Sequence, residues 1–372
     1  MKNKITPEIR FPGYTGDWEQ QKLGEVADFF DEKRIPIDSV KRIKGQYPYY
    51  GATGIIDYVE DYIFEGEYVL LAEDGANITT RNSPIAYLTE GKFWVNNHAH
   101  IMKMKLGSNI YLVQLLEKQN YDKYNSGTAQ PKLNGKVVKN IILNFPCKEE
   151  QTKIGEFFKH LDNTIALLQQ ELTTLKQIKQ GFLQKMFPKE GQSVPEVRFP
   201  GFTGDWEERK ISEIGNISAG GDIDKSKLID GGKFPVLANA LTNDGIVGYY
   251  NNYKSVAPAV TITGRGDVGH AKARHVNFTA IVRLLVLKPF DDFNVDFLEP
   301  AINNTNILVE STGVPQLTAP QFGNYKIYFP TLEEQIKIGN FFKQLDETIA
   351  LHQRELDTLK ETQKAFLQKM FL

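Results

Sequence analysis

The residues best placed to do chemistry lie in two stretches, GANITTRNS (Gly75 to Ser83) and GRGDVGHAKAR (Gly264 to Arg274). The second opens as GRGDVG after the apolar run AVTIT, the form of a dinucleotide-binding glycine loop, with Asp291 and Asp292 following at the spacing of a ribose-binding acid. Such a loop cradles phosphate where it opens a helix. Here HAKARHVN follows without an apolar period, and FTAIVRLLVLK before the aspartates reads as another strand, so the context argues against a nucleotide site. What the stretch does concentrate is positive charge: Arg265, Lys272 and Arg274 stand against one aspartate, with His270 among them. Arginine can pair bidentately with guanine or phosphate, lysine with phosphate, and asparagine or glutamine with adenine. The counterpart stretch offers Asn77, Thr79, Thr80 and Arg81, and an earlier basic cluster holds Lys33, Arg34, Lys41, Arg42 and Lys44. These are the candidate nucleic-acid contacts, expected on polar, flexible loops; for any one of them the competing reading is a solvated charge.

Other chemistry is sparse. There is no P-loop, no H-E-x-x-H and no Asp/Asn-Pro-Pro-aromatic tetrad of the kind amino-methyltransferases use. His98 and His100 stand two apart, which on a strand puts both on one face, but their run supplies no carboxylate or cysteine to complete a metal site. They read as core or DNA-facing histidines. The RGD tripeptide would need an extracellular setting. The single cysteine, Cys147, excludes an intramolecular disulfide and fits a reducing cytoplasm. No stretch approaches the length of uninterrupted apolar residues that a membrane span requires. The net charge of −2 is awkward for a nucleic-acid binder, so local distribution must carry that case.

The elements that must hold these stretches come in duplicate. EEQTKIGEFFKHLDNTIALLQQELTTLKQIKQGFLQKMF (Glu149 to Phe187) and EEQIKIGNFFKQLDETIALHQRELDTLKETQKAFLQKMF (Glu333 to Phe371) agree at 27 of 39 positions. PEIRFPGYTGDWEQQKLGEVA (Pro7 to Ala27) and PEVRFPGFTGDWEERKISEIG (Pro195 to Gly215) agree at 13 of 21. Identity at a long fixed period is an internal duplication. The order is motif, variable segment, helix, then the same again, across residues 1–148, 149–187, 188–332 and 333–372. Trp18 and Trp206 are expected to seal the edge of the core that each variable segment builds. The segments are rich in short strand signals, such as EYVLLAEDG and PAVTITG, and YLVQLLEKQ reads as a brief helix. They close on the polar loops SGTAQPKLN (Ser126 to Asn134) and STGVPQLTA (Ser311 to Ala319) and otherwise share little sequence.

Each copy of the longer repeat reads as one helix with a heptad seam. One set of seam positions holds Phe158, Ile165, Leu172, Lys179 and Met186, the other Ile154, Leu161, Leu168, Leu175 and Phe182. The second copy gives Phe342, Ile349, Leu356, Gln363 and Met370 with Ile338, Leu345, His352, Leu359 and Phe366. Thr331 and Glu334 suggest a capping box. Two matching seams in one chain predict an antiparallel coiled coil and a cyclic, pseudo-two-fold repeat, in which the end of the second helix returns to the N-terminal motif. The fold class is α/β (α+β): two β-rich mixed domains with two long helices.

The doubled RFPG(Y/F)TGDWE motif, the doubled EEQ-K-IG-FF-LD-TIAL helix ending in LQKMF, and two unlike inserts closing on SGT- or STG-type loops resemble the DNA specificity subunit of type I restriction-modification systems. The resemblance covers essentially the whole chain. It implies that each variable segment is a target recognition domain reading one part of a bipartite, asymmetric site in double-stranded DNA, and that the chain itself is not catalytic. Adenine methylation and DNA cleavage would belong to methyltransferase and restriction subunits, which would also hold the S-adenosylmethionine, ATP and Mg2+; no cofactor is expected on this chain. Two other readings remain on the sequence alone, a stand-alone DNA methyltransferase or nuclease and a coiled-coil scaffold that does not bind DNA.

Overall fold

The computed structural model describes residues 6–127, 130–229, 231–307 and 314–371. The chain divides into two compact units, residues 1–169 with 355–372, and residues 170–354. These do not coincide with the four segments read from the repeats, because each unit takes in part of both long helices, Lys148–Lys185 and Leu332–Lys369. The physical reason is burial. Ile154, Phe158, Met370 and Phe371 are core residues of the first unit, and Met186, Phe187, Ile338 and Phe342 of the second. At ~25 cal/mol per Å2 of apolar surface, helix ends carrying Phe, Ile and Met are worth more in those cores than on a free rod.

Both units follow one plan. In the first, a four-stranded antiparallel sheet has the order Ala27–Phe29, Ala99–Met104, Tyr68–Ala72, Ala86–Thr89. In the second the order is Gly215–Ala219, Leu285–Pro289, Ala259–Ile262, Ala271–Arg274. Val69–Ala72 and the whole of Ala259–Ile262 are buried, which is why these strands read as apolar runs rather than alternating ones. A second sheet is present in each unit, four-stranded around Lys44–Gly51 in the first and three-stranded around Phe234–Leu237 in the second. The chain enters and leaves each variable segment through a two-stranded ribbon, Glu19–Lys22 against Ile142–Phe145 and Glu207–Lys210 against Lys326–Phe329. The brief helix is present as Asn109–Lys118. Its counterpart Val295–Asn303 escapes a sequence reading because Pro300 interrupts it.

The duplicated motifs hold one another. Arg10 reaches both carboxylate oxygens of Glu150 at 2.6 Å, and Arg198 both oxygens of Glu334 at 2.7 Å, with each glutamate fully buried. Glu334, expected to share a capping box with Thr331, instead gives its carboxylate to Arg198. Gln151 and Gln335 donate to the carbonyls of Pro146 and Pro330 at 2.9 and 3.0 Å. Trp18 and Trp206 are 2% exposed, Trp18 packing edge-on against Tyr111 and Phe371, Trp206 against Phe187 and Phe297. They seal the cores as expected. In the first unit the last turn of the second long helix does return to the N-terminal motif: the amide of Ile9 donates to the carbonyl of Lys369 at 2.9 Å.

Within each unit the two helices run antiparallel. Phe157 meets Phe366 and Gln363 donates to Asp162 in the first; Phe182 meets Phe341 and Lys179 donates to Asp346 in the second. The seam is the one the heptads mark. Phe158, Ile165, Leu172, Phe342 and Leu356 are buried, and Leu161, Leu168, Leu175, Leu345, Ile349, His352 and Leu359 are partly buried. Lys179 and Gln363 are not stray polar residues, since each satisfies an aspartate of the partner helix.

Candidate nucleic-acid interface

In the first unit, the strand Tyr68–Ala72 leads directly into Glu73, Asp74 and Gly75. Onto these three residues docks the described part of the loop SGTAQPKLN, of which Thr128 and Ala129 lie outside the described residues. Leu133 donates to the carbonyl of Glu73 at 2.7 Å, Gly75 to that of Pro131 at 3.0 Å, and Asp74 forms a β-bridge with Lys132. A third segment closes the junction: Glu73 donates to the carbonyl of His98, whose ring lies 2.9 Å from the Asp74 carboxylate. His98 and Lys132 are about half exposed, and the Lys132 ammonium lies 3.3 Å from the Glu73 carboxylate.

The second unit repeats this junction with other side chains. Leu317 donates to Gly264 at 2.9 Å, Gly266 to Pro315 at 3.0 Å, and Arg265 bridges to Gln316. Residues 311–313 of STGVPQLTA lie outside the described residues. By the register of the sheets, Leu71 opposite His100 matches Ile262 opposite Leu285, so Arg283 occupies the place of His98. Its backbone crowds the junction, for a Cβ on Gly264 would stand 2.2 Å from the Arg283 carbonyl. Arg283 adopts a left-handed φ of +70°, and Arg265 and Gln316 are exposed.

The structure sorts the sequence candidates sharply. Arg34 binds Glu73 at 2.6 Å and the carbonyl of Ala99 at 2.7 Å. Arg81, at φ +53°, is held by the carbonyl and carboxylate of Glu117, and Arg274 donates to Thr261 and to the carbonyl of Asp244. Lys272 pairs with Glu299 at 3.2 Å. These four were expected on loops as contacts; instead they satisfy buried or half-buried acceptors, because a charge taken from water must be paired. Ala271–Arg274 is a strand and Asn77–Thr80 a helical turn. Asn77 closes that turn on Ser83 and Pro84, and Thr79 donates to Ala76. Thr80, Lys33, Arg265 and His270 keep exposed positions, Lys33 lying 5.3 Å over Phe30 and His270 3.0 Å from Asp267.

Other features resolve in the same way. GRGDVG joins two antiparallel strands and opens no helix. His100 is buried between Asp31, at 2.7 Å, and the carbonyl of Leu133, at 2.8 Å. Burial pulls the Asp31 carboxyl up, but the hydrogen bond and charge of His100, with the Ile101 amide and Arg34, outweigh it and hold the acid below its ordinary range. Burial pushes the Glu117 carboxyl above its ordinary pKa range despite its bonds to the amides of Ile85 and Ala86. Among the described residues no group of three metal-capable side chains forms. Asp74, Lys132, Arg283 and Gln316, which lie at these junctions, were not among the sequence candidates. A signal existed: PKL and PQL repeat between the halves with only the middle residue changed.

The two units thus present the same loop junction with different side chains on a duplicated scaffold. The chain matches the family model described as the type I restriction modification DNA specificity domain over residues 15–177 and 203–361, and it belongs to that family. A Mycoplasma pneumoniae protein named as a type I specificity subunit is 27% identical over 342 residues, 86% of each chain. The MjaVIII type I restriction enzyme specificity subunit of Methanocaldococcus jannaschii is 22% identical over 399 residues, covering 94% of this chain and 91% of its own length. Among solved structures, the type I restriction-modification S subunit of M. genitalium has the same fold, with a TM-score of 0.76 over 99% of both chains at 14% identity. The function is that of a DNA specificity subunit.

Proposed function

We propose that each unit reads one part of a bipartite, asymmetric site in double-stranded DNA, and that methyltransferase and restriction subunits bound to this chain perform adenine methylation or cleavage. The observation that carries the reading is the duplicated junction: the same backbone pairing of strand end and Pro-x-Leu loop in both units, with Asp74 and Lys132 in one and Arg265 and Gln316 in the other, and with His98 and Arg283 at matched places of the neighbouring strand. In this reading the chain is non-catalytic and cytoplasmic, and S-adenosylmethionine, ATP and Mg2+ belong to the partner subunits. Among the described residues no helix is long and apolar enough to cross a membrane. A net charge of −2 suits a reader whose partners share the phosphate contacts.

Co-expression with methyltransferase subunits and genome-wide mapping of methylated adenines tests this. One split, asymmetric consensus is the expected result. Methylation by the chain alone would make it an enzyme, and absence of DNA affinity with and without partners would make it a scaffold.

A further inference from the structure

We propose that Arg265, Arg283 and Gln316 are the base-reading set of the second unit, and that Asp74, His98 and Lys132 are its positional equivalents in the first, so that the two half-sites differ in base chemistry at one matched place. The proposal rests on the DNA-reading function argued above. Its first support is geometric. In each unit three segments distant in sequence meet at one spot: the end of the central strand and the Pro-x-Leu loop, joined by the same bonds, and the turn before the neighbouring strand, bonded to Glu73 in the first unit and packed against Gly264 in the second, whose amide donates to Asn239 instead. The Pro and Leu of that loop are spent on backbone contacts and the core, Leu133 and Leu317 being buried, which leaves the middle residue facing out.

The second support is the bonding of the arginines. In the second unit Arg198, Arg209, Arg274 and Arg354 are all engaged by protein groups. Among the described residues no hydrogen bond, ion pair or ring contact holds the guanidinium of Arg265 or Arg283. Arg283 also sits at φ +70°, a left-handed conformation that is unfavourable for a non-glycine residue and that concentrates at functional sites. Gln316, beside Arg265 across the bridge, adds an amide.

The chemistry of each set then follows. Two unpaired guanidiniums suit the O6 and N7 of guanine, and the amide suits N6 and N7 of adenine, so the second unit reads a purine-rich strand. In the first unit the Asp74 carboxylate can only accept. It suits the exocyclic amine of cytosine and repels phosphate, and Lys132 beside it is paired with Glu73 at 3.3 Å, so the acceptor is the part of this set that reads.

The test is consensus mapping with the full chain in its methyltransferase complex. Arg265→Ala and Arg283→Gly should each make one guanine position degenerate, with a loss of discrimination of roughly five- to a hundredfold, in one half-site alone. Arg265→Lys keeps the charge but not the bidentate fork, so it should lose the same discrimination while non-specific affinity is retained. Asp74→Asn should alter only the other half-site. An unchanged consensus, or a drop shared equally by all sequences, overturns the assignment while leaving the DNA-reading function intact. A wild-type complex that selects no consensus overturns both.

Discussion

Removing the arginine of either RFPG motif should be among the most damaging changes available in this chain. Glu150 has no exposed surface, and Arg10, 14% exposed, satisfies both of its oxygens while donating to the carbonyl of Gly16. Arg10→Ala strands a buried carboxylate, and breaking such a pair costs about 3–5 kcal/mol. The same logic makes Glu150→Gln informative in the mutant background. An amide without its partner is a lost hydrogen bond of about 1–3 kcal/mol, not a stranded charge. The double variant Arg10→Ala with Glu150→Gln should therefore be more stable than Arg10→Ala alone. Because a chain of two units need not unfold in one transition, denaturant curves should be read with hydrogen exchange at the amide of Ile9, which is bonded to Lys369 in the same unit. An Arg10→Ala cost below ~1 kcal/mol would place the pair with ordinary surface ion pairs. A double variant less stable than the single would refute the stranded-charge argument outright.

Glycine substitutions in the long helices should split by position. A Cβ on Gly155 would meet Ser108 Oγ at 2.7 Å, and one on Gly339 the amide nitrogen of Phe297 at 2.8 Å, so alanine should lower the melting temperature at both. Nothing lies within 4 Å of a Cβ on Gly181, and alanine there should stabilise by about 0.5–1 kcal/mol. Asp162 is raised by burial, and its hydrogen bonds come from the amides of Gln363 and Gln114. A raised acid contributes stability that is present below its unfolded value and lost as pH rises through the folded one. Asp162→Asn should thus gain on the wild type at neutral pH and not in strong acid, and parallel unfolding curves at the two pH values would count against it. Lys179→Leu, which fills a seam position, should lower stability slightly, by about 1 kcal/mol or less for a part-exposed pair, and a stabilised variant would show that Asp346 does not need its partner.

The frame was legible because its requirements are local or periodic. Seam residues announce themselves by spacing, and every seam position marked on the heptads is at least partly buried. Central strands announce themselves by apolar runs such as YVLLA and AVTI. The Arg–Glu clamps were present in the text as two repeated motifs, but their pairing was not, since Arg10 and Glu150 lie 140 residues apart. Nothing in the heptad pattern singles out Gly155; only the packing of Ser108 and Tyr111 against it shows that a side chain there would collide.

The candidate interface was harder to read for a physical reason that the arginines make plain. Sequence inspection counts charges, and Arg34, Arg81, Lys272 and Arg274 raise the count wherever they occur. Whether a charge is free depends on acceptors supplied from far along the chain: Glu73 lies 39 residues from Arg34, Glu117 lies 36 from Arg81, and Glu299 lies 27 from Lys272. Folding consumes these cations, and what remains outward is set by positions that the fold leaves unconstrained. Those are the residues between the proline and the buried leucine of a Pro-x-Leu loop, or just past the last buried residue of a central strand. They differ between the two units while their neighbours repeat, as Lys132 and Gln316 do between the same proline and leucine. In a duplicated chain of this kind, invariance marks what the scaffold needs. The reading surface is better sought where identical backbone bonds carry unlike side chains.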